Sequence, residues 1–444
     1  MVSFKGFKYK FSAEYSVRKA ASAAGIVAFC LSGPVHAESL TELIPSLLKS
    51  HNLVKASEAD LDAATNRVRE TLGGWFPTLN VTAHYGRELQ NKPEGTDDTE
   101  FVTREADFSV KQLVWDFGAT NARVRATEFT RDSVKHTLES IKQDLILRAV
   151  TAFMNVKRTA DVLALARKSE ANIKKQTELE DALVKRGAGI SSDVLQAKAT
   201  LSGAQARRVQ AQGALAVARN AYRAVFHTDA ADINGMKKPE LPEDLIPPSL
   251  KDAIELALNE NPKLLTADAG ARVAKETIKA TKSSSFYPTI EAVAEAKLKE
   301  DAGGTAGNQQ EQVAKIQMSF PFNLGFTAIN TLKAAEGDAT SAAKRLGESK
   351  DLTEQQVRDS WDNLKTAKNT ADFLRNQADI QSEFLALARK ERQLGNRSLI
   401  DVLSGETAFI NATSDATSAE TDVAIAVFTL LNNMGRLNLD AIRD

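Results

Sequence analysis

The chain has 444 residues, with 57 basic and 58 acidic side chains, and its formal net charge is −1. This near balance excludes a strongly basic nucleic-acid-binding face, so we expect no nucleic-acid partner. Prolines are few (11) and aromatic residues make up 6% of a chain rich in Ala, Leu, Glu, Gln, Lys and Arg, a composition that favours long helices.

The first 37 residues have the pattern of an export signal that is cleaved off. Basic residues lead into a short apolar segment, Ala20 to Leu31, and Val35-His36-Ala37 follows as a small–x–small cleavage pattern. The apolar segment is too short for a membrane anchor, which needs about 20 apolar residues. The only cysteine, Cys30, lies in this segment, and bulky Phe29 before it disfavours a lipoprotein site. We therefore expect a mature chain with no disulfide, thiol nucleophile or thiolate metal site.

The rest of the chain is one structural unit repeated twice. We assign residues 38–233 to the first repeat and 250–444 to the second, with a proline-rich linker at 234–249 that contains Pro239, Pro242, Pro247 and Pro248. Each repeat is predicted to hold a helix, a strand hairpin, a long helix and a shorter helix.

Each repeat opens with a helical pattern, at residues 40–72 and 250–282, that stops before an aromatic-Pro-Thr sequence. The prolines, Pro77 and Pro288, push the preceding residue out of the helical region. Period-two alternation then predicts strand hairpins at 78–117 and 289–322. In the first repeat the alternation slips between residues 107 and 117.

Long helices follow each hairpin. The pattern is helical over 119–186 and 193–231 in the first repeat, and over 326–394 and 399–434 in the second. Many positions of the apolar stripe are alanine, which favours close, shallow helix contacts. Each long helix stops at a glycine, Gly187 or Gly395, and each shorter helix opens with Asp-Val-Leu, at Asp193 or Asp401.

Four strands cannot form a closed membrane structure alone. Unpaired backbone groups at a sheet edge cost several kcal/mol each in lipid, and single-chain barrels begin at about eight strands. Three copies would supply twelve strands to one shared barrel and turn the helices into a tube. Two copies with eight strands also satisfy this count.

The order of elements, the Phe-Pro-Thr and Tyr-Pro-Thr strand entries and the duplicated Gly-to-Asp-Val-Leu corners resemble the TolC family of outer-membrane factors over the whole mature chain. The resemblance implies a mainly α fold with a transmembrane β-barrel: a trimeric channel-tunnel with a twelve-strand barrel in the outer membrane and a periplasmic α-helical barrel. It also implies a passive duct that docks a periplasmic adaptor protein and an inner-membrane ABC or proton-driven transporter, in contact with outer-membrane lipid.

The resemblance also implies roles for the two corners. In the family an aspartate of the first corner links to an arginine of the second and holds the periplasmic entrance shut; these positions are Asp193, with Ser192 beside it, and Arg397. A carboxylate ring that constricts the pore falls on Asp401. The resemblance also places the contact with the adaptor at the same corners, at Gly187, Gly395, Val194, Leu195, Val402 and Leu403.

Two positions depart from the family pattern. A second acidic residue of the ring is Ser404 here, and a tyrosine that helps some members stay closed is Arg392. The departures predict a ring of three carboxylates instead of six and a closed state that depends more on charge pairing, with Arg392 as a further gate residue.

Simpler interpretations stand beside these roles. Asp401 lies three residues after Ser398, and Asp193 follows two serines, so both carboxylates also fit helix capping. Arg392 and Arg397 also fit solvated helix ends, and the two glycines fit helix C-termini.

We find no catalytic constellation, phosphate loop or metal-ligand spacing, so we expect no enzyme activity, cofactor or metal. The favoured function is an exit duct for type I protein secretion. The alternatives are the outer-membrane component of a multidrug efflux pump and, more distantly, a structural periplasmic coiled coil.

Overall fold

The computed structural model describes residues 39–187, 190–230, 232–233, 235–322 and 324–443. The predicted export signal, with Cys30 and the cleavage pattern at Ala37, lies outside the described residues. So do Asn323, at the end of the second hairpin, and Asn234, at the start of the predicted linker.

The two repeats have the same order of elements. The helices and strands of the first are α1 (Leu40–Ser50), α2 (Asn52–Leu72), β1 (Thr78–Gln90), β2 (Thr99–Trp115), α3 (Ala119–Lys185) and α4 (Ser191–Phe226). Those of the second are α5 (Leu250–Glu260), α6 (Pro262–Phe286), β3 (Thr289–Glu300), β4 (Asn308–Ser319), α7 (Thr327–Gln393) and α8 (Leu399–Met434).

The opening helix of each repeat is broken, which differs from the continuous helices predicted over 40–72 and 250–282. His51 is extended (φ −67°, ψ 128°), and its Nδ1 accepts a hydrogen bond from Leu53 N at 3.2 Å, so it ends α1 and caps α2. Asn261 takes the same place before α6, where its Oδ1 accepts from Lys263 N at 2.8 Å and Pro262 is the first helical residue.

The fourth helix also ends before its predicted limit at residue 231. His227 adopts a left-handed conformation (φ +58°) and its backbone N donates to Arg223 O at 2.8 Å, which terminates α4 at Phe226.

The four strands form one antiparallel sheet in the order β1-β2-β3-β4. Its registers bring apolar residues of successive strands to one face, as where Leu79 pairs with Val110 and Val110 with Ala294. β2 carries an irregularity between Leu113 and Trp115. The extra residue there explains the slip in the alternation, because a bulge reverses the side on which later side chains point.

The long helices have matched lengths. α3 and α7 each have 67 residues, and α4 and α8 each have 36. At about 1.5 Å per residue the longer pair extends roughly 100 Å. α3 packs on α4, α7 packs on α8, and α3 also contacts α8 and α6.

The core is not uniform along these helices. The largest apolar cluster joins the middle of α3 and α7 and the end of α8 remote from its corner to α1, α5 and the linker, with Phe153, Phe428 and Met236 among its buried members. Towards the corners only small clusters occur, in which alanines such as Ala197 and Ala412 are prominent. The linker is tied down where Glu240 N donates to Arg443 O at 2.9 Å. Within the described residues no helix holds an apolar stretch sufficient to cross a membrane.

Candidate functional site

The two corners, between α3 and α4 and between α7 and α8, end their long helices at glycines in the left-handed conformation. Gly187 has φ +78° and its N donates to Val184 O at 2.9 Å. Gly395 has φ +80°, and the following Asn396 N donates to Glu391 O at 2.9 Å. Both glycines thus satisfy the carbonyls of a helix end at little steric cost, which is the simpler of their two predicted roles.

The shorter helices begin in different ways. The Oγ of Ser398 accepts a hydrogen bond from Asp401 N at 3.2 Å, so Ser398 caps α8. Before α4 the N-cap is Ile190, whose side chain makes no capping hydrogen bond. The serine cap predicted before Asp401 is therefore present, whereas Asp193 lies in the first turn of α4 without a side-chain cap before it.

The predicted docking residues divide by exposure. Val194, Val402 and Leu403 are buried within the chain, whereas Leu195 is exposed. Leu403 belongs to a small cluster that joins α3, α4 and α8. Three of the docking positions thus stabilise the corners from inside, and Leu195 is the large side chain of the set that a partner can contact.

The charged gate candidates lie at the corners but do not pair with each other inside one chain. Arg397 Nε lies 2.6 Å from Glu391 Oε2, and its guanidinium stands 5.2 Å from the centre of the Phe384 ring. At Asp193, Ser192 Oγ lies 3.4 Å from Oδ1. Among the described contacts of a single chain, Asp193 and Arg397 are not brought together.

Arg392 joins the two corners. Its Nη2 lies 2.9 Å from Oε2 of Glu180, a buried carboxylate near the end of α3, and its Nη1 donates to Arg397 O at 3.3 Å. The solvated-end interpretation of Arg392 is therefore wrong, because this guanidinium neutralises a buried acid of the other repeat.

A second buried carboxylate, Glu406 on α8, also links the repeats. Its Oε1 accepts from Asn172 Nδ2 of α3 at 2.8 Å, and its Oε2 pairs with Arg389 of α7. A buried carboxylate needs such partners, since an unpaired charge in the interior is strongly destabilising.

Glu180 and Glu406 are absent from the sequence-based site, although the sequence contains a signal for them. Glu180 follows buried Ile173 at heptad spacing, and Glu406 follows buried Leu399 in the same way. A charged residue at a heptad position that otherwise holds buried apolar residues indicates one of two things. Either the charge is buried in an ion pair, or the buried face of the helix has been assigned wrongly.

The acidic residues near the corners differ in their surroundings. Hydrogen bonds from Lys185 and, to a smaller extent, from Lys198 lower the pKa of Asp181. Since Lys198 belongs to α4, its pair with Asp181 links α3 to α4. Asp401, the predicted ring residue, is exposed, and so is Ser404 one turn further along α8. Asp401 thus presents its carboxylate to solvent while its backbone N is held by the cap. The described residues contain no group of His, Cys, Asp and Glu side chains arranged to hold a metal ion.

Comparisons with known proteins agree with the duplicated architecture. A family model described as "Outer membrane efflux protein" matches residues 43–226 and 253–436, one match in each repeat. The chain is 24% identical to the outer membrane efflux protein BepC of Brucella suis over 96% of this chain and 93% of BepC. It is 22% identical to the outer membrane protein TolC of Escherichia coli, over 90% of this chain and 83% of TolC.

Two further comparisons concern a secretion protein and a solved structure. The chain is 22% identical to the alkaline protease secretion protein AprF of Pseudomonas aeruginosa, over 86% of this chain and 82% of AprF. The crystal structure of the outer membrane protein VceC from Vibrio cholerae superposes with a TM-score of 0.76 at 15% identity, and the match covers 89% of this chain and 96% of VceC. The fold of this chain is thus that of the TolC-like channel-tunnels.

Proposed function

Because the chain belongs to the outer membrane efflux protein family, the TolC-like channel proteins, we propose that three copies form the exit duct of a tripartite export system. The family consists of outer-membrane transport conduits without enzyme activity, and this chain has their mainly helical fold. The proposal adds that the duct is passive, and that a periplasmic adaptor and an inner-membrane transporter open its entrance.

The observation that carries the proposal is the ion pair between the partly exposed Arg392 and the buried Glu180. The pair holds the corner of the second repeat against the last turns of α3 in the first repeat. Both corners therefore lie at the same end of the long helices. An entrance closed at that end can open only if the corners separate, and a specific pair between them provides a defined closed state.

The closing link between neighbouring copies is assigned to Asp193 and Arg397. Arg397 is held by Glu391 of its own chain at 2.6 Å. In the closed trimer we assign Arg397 a second acidic partner, Asp193 of the adjacent copy. When the entrance opens, Arg397 loses Asp193 but remains paired with Glu391. Such an exchange lowers the cost of opening, because no arginine is left without an acidic partner.

A conductance measurement tests the gate. The double substitution Asp193→Ala with Arg397→Ala is expected to raise single-channel conductance in planar bilayers, because the closing link is lost. The matched control removes an exposed pair remote from the corners, Arg223→Ala with Asp229→Ala, and should leave conductance unchanged. Unchanged conductance in the corner variant would refute the assignment of the gate.

Asp401 is assigned to the constriction inside the entrance. Three exposed carboxylates, one from each copy, would concentrate negative potential in a narrow pore. The exposed Leu195 and the ends of the corner helices are assigned to the adaptor contact, with buried Val194, Val402 and Leu403 as the support beneath them.

For the cargo, type I protein secretion is the favoured function. Support comes from AprF, which is a secretion protein by name and matches this chain over most of its length. Efflux of small molecules is the second candidate, supported by the name of BepC. Deleting the gene separates the two: loss of a large protein from the culture medium supports secretion, and increased drug sensitivity with an unchanged set of secreted proteins supports efflux.

A further inference from the structure

A cavity between helices of both repeats contains one charged side chain. Its volume is about 320 Å³, and α3, α4 and α8 line it. Besides apolar side chains, the lining includes Ser169 of α3, Arg207 and Gln210 of α4, and Asn411 and Ser414 of α8. A second cavity, of about 450 Å³, shares Arg207 and Asn411 with the first. Neither lining contains an acidic residue, so the cavity walls do not neutralise the positive charge of Arg207.

Two polar atoms of the first cavity are buried without a hydrogen-bond partner. They are Nη2 of Arg207 and Oγ of Ser169, a residue that is 3% exposed. Nearly all buried polar atoms in native proteins have a partner, and one that has none indicates a place for a water molecule or an ion. Five side-chain atoms of the described residues are in this state. Because two of the five line the same cavity, we infer that one ligand serves both.

The acidic residues of the surrounding helices are engaged elsewhere. α4 contains five basic residues but only one acid, Asp193, which lies in its first turn. On α3, Glu170 lies 2.6 Å from Arg208, and on α8 the buried Glu406 is paired with α7. Arg207 thus has no ion pair among the described residues. A water molecule would complete the hydrogen bonds but leave the charge uncompensated, so the missing partner is an anion.

The hydrogen-bond donors of the cavity come from three helices. Arg207 contributes a guanidinium from α4, Ser169 a hydroxyl from α3 and Asn411 a side-chain amide from α8. A guanidinium matches an oxyanion well because it offers two parallel N–H groups. A tetrahedral oxyanion can also accept hydrogen bonds on its other sides, whereas a carboxylate accepts them in one plane. We propose that this cavity binds a small tetrahedral oxyanion, of which inorganic phosphate is the simplest example.

A bound oxyanion connects the two repeats, because its donors belong to α3 and α4 of the first repeat and to α8 of the second. The lining is otherwise largely apolar, with Ala166, Ala211 and Ile410 among its members. Such surroundings strengthen the attraction between the guanidinium and the anion, since the effective dielectric constant is lower than in water. The anion therefore stabilises the packing of α8 on α3 and α4, and the stability of the folded chain rises with its concentration.

Calorimetric titration of the purified protein in detergent with sodium phosphate tests the site. Sodium chloride keeps the ionic strength constant, because screening alone changes the attraction between charges. The natural chain is expected to bind phosphate with a saturable signal. Arg207→Gln should weaken the affinity roughly tenfold or more, because charge-assisted hydrogen bonds are lost, and Ser169→Ala should weaken it about threefold.

Arg219→Gln is the matched control for the loss of charge. Arg219 is an exposed basic residue of the same helix, about 18 Å along α4 from Arg207. Its substitution removes the same charge as Arg207→Gln but at a site outside both cavities. This variant should therefore bind phosphate as the natural chain does, because the distance exceeds the range of unscreened attraction.

Thermal unfolding in the same detergent separates the loss of binding from a loss of folding. Without phosphate, Arg207→Met should unfold at or above the temperature of the natural chain, because it removes an uncompensated charge and keeps most of the side-chain volume. Added phosphate should raise the unfolding temperature of the natural chain and leave that of Arg207→Met unchanged.

Three results would overturn the proposal. The first is equal phosphate affinity in Arg207→Gln and Arg219→Gln, and the second is a natural chain that shows no saturable binding. The third is an equal rise in unfolding temperature with sodium chloride at the same ionic strength, which would indicate general screening of charges.

Titration with glycerol phosphate distinguishes the two sources of this chemistry. Weaker binding of the ester than of inorganic phosphate supports the free ion as the ligand. Tighter binding supports the phosphate group of a larger molecule at the same donors, provided that Arg207→Gln abolishes it.

Discussion

Arg392 Nη2 lies 2.9 Å from Oε2 of Glu180, so that an arginine of the second repeat neutralises a buried carboxylate of the first. The pair lies at the position where the family resemblance places a tyrosine. The acidic side of this pair is sheltered from solvent, and its basic side is partly exposed.

Substituting Arg392→Gln is expected to leave Glu180 buried without a counter-charge. The cost is about 1–3 kcal/mol, below the roughly 3–5 kcal/mol of a fully buried pair because Arg392 is partly exposed. The trimer should dissociate at a lower temperature in detergent, and conductance should rise.

Adding Glu180→Gln to that variant should recover part of the lost stability, since the unpaired charge is then absent. Lys174→Gln is the control, because its partner Glu178 is exposed and 3.9 Å away. If Arg392→Gln behaves like the control in both measurements, the pair does not hold the corners.

Asp401→Asn is expected to weaken the block of single-channel current by divalent or trivalent cations added on the periplasmic side. The substitution removes the charge of the ring but keeps the backbone N that donates to Ser398 Oγ. Ser398→Ala is the reciprocal control, because it removes the cap, at a cost of about 1 kcal/mol, and keeps the charge. Reduced block in Ser398→Ala and unchanged block in Asp401→Asn would assign the site to capping alone.

The contact between α3 and α6 should weaken in acid. Burial acts to raise the pKa of Glu276, but hydrogen bonds from Lys279 (2.6 Å) and Arg125 (2.8 Å) outweigh it, and the pKa is lowered. A lowered pKa in the folded state gives stability that is complete above the unfolded value of about 4.3 and is lost as the pH falls through the folded value.

Glu276→Gln should therefore be less stable than the natural chain at neutral pH, by about 1–3 kcal/mol. The difference should shrink as the pH falls below about 4, as measured by denaturant unfolding in detergent. Glu139→Gln, at a pair with Lys142 whose carboxylate is 46% exposed against 9% for Glu276, should show no such trend. A difference for Glu276→Gln that is independent of pH would contradict the ion-pair explanation.

Gly435→Ala is expected to destabilise the chain by at least about 2 kcal/mol, because a left-handed residue acquires a side chain and the site is overpacked. Gly435 ends α8 at φ +80°, and an added Cβ would lie 2.7 Å from Asn261 Cα. Gly270→Ala, in the interior of α6 with open space around it, should be neutral or stabilising by up to about 1 kcal/mol. The measurement is the thermal unfolding of the two variants under the same conditions. If Gly435→Ala were as stable as Gly270→Ala, the close approach of α8 to the start of α6 would be contradicted.

Much of the fold follows from local patterns. The two prolines before the hairpins, period two in the strands and glycines at the corners act over a few residues, so they are readable along the chain. The break at Asn261 also has a local signal, since Asn-Pro is a cap followed by a favoured first helical residue. The local sequence gives no comparably strong signal for the break at His51, because histidine is uncommon as an N-cap residue.

The element types, the duplication and the corners can be predicted from the chain alone, because backbone propensities and apolar periodicity are properties of neighbouring residues. The contacts of individual side chains follow from the folded chain: Arg392 pairs with Glu180, Arg397 pairs with Glu391, and Val194 and Val402 are buried. Charge pairing depends on which residues of distant helices lie level with one another. That level is set by helix lengths and packing over the whole chain, which no short stretch of sequence encodes.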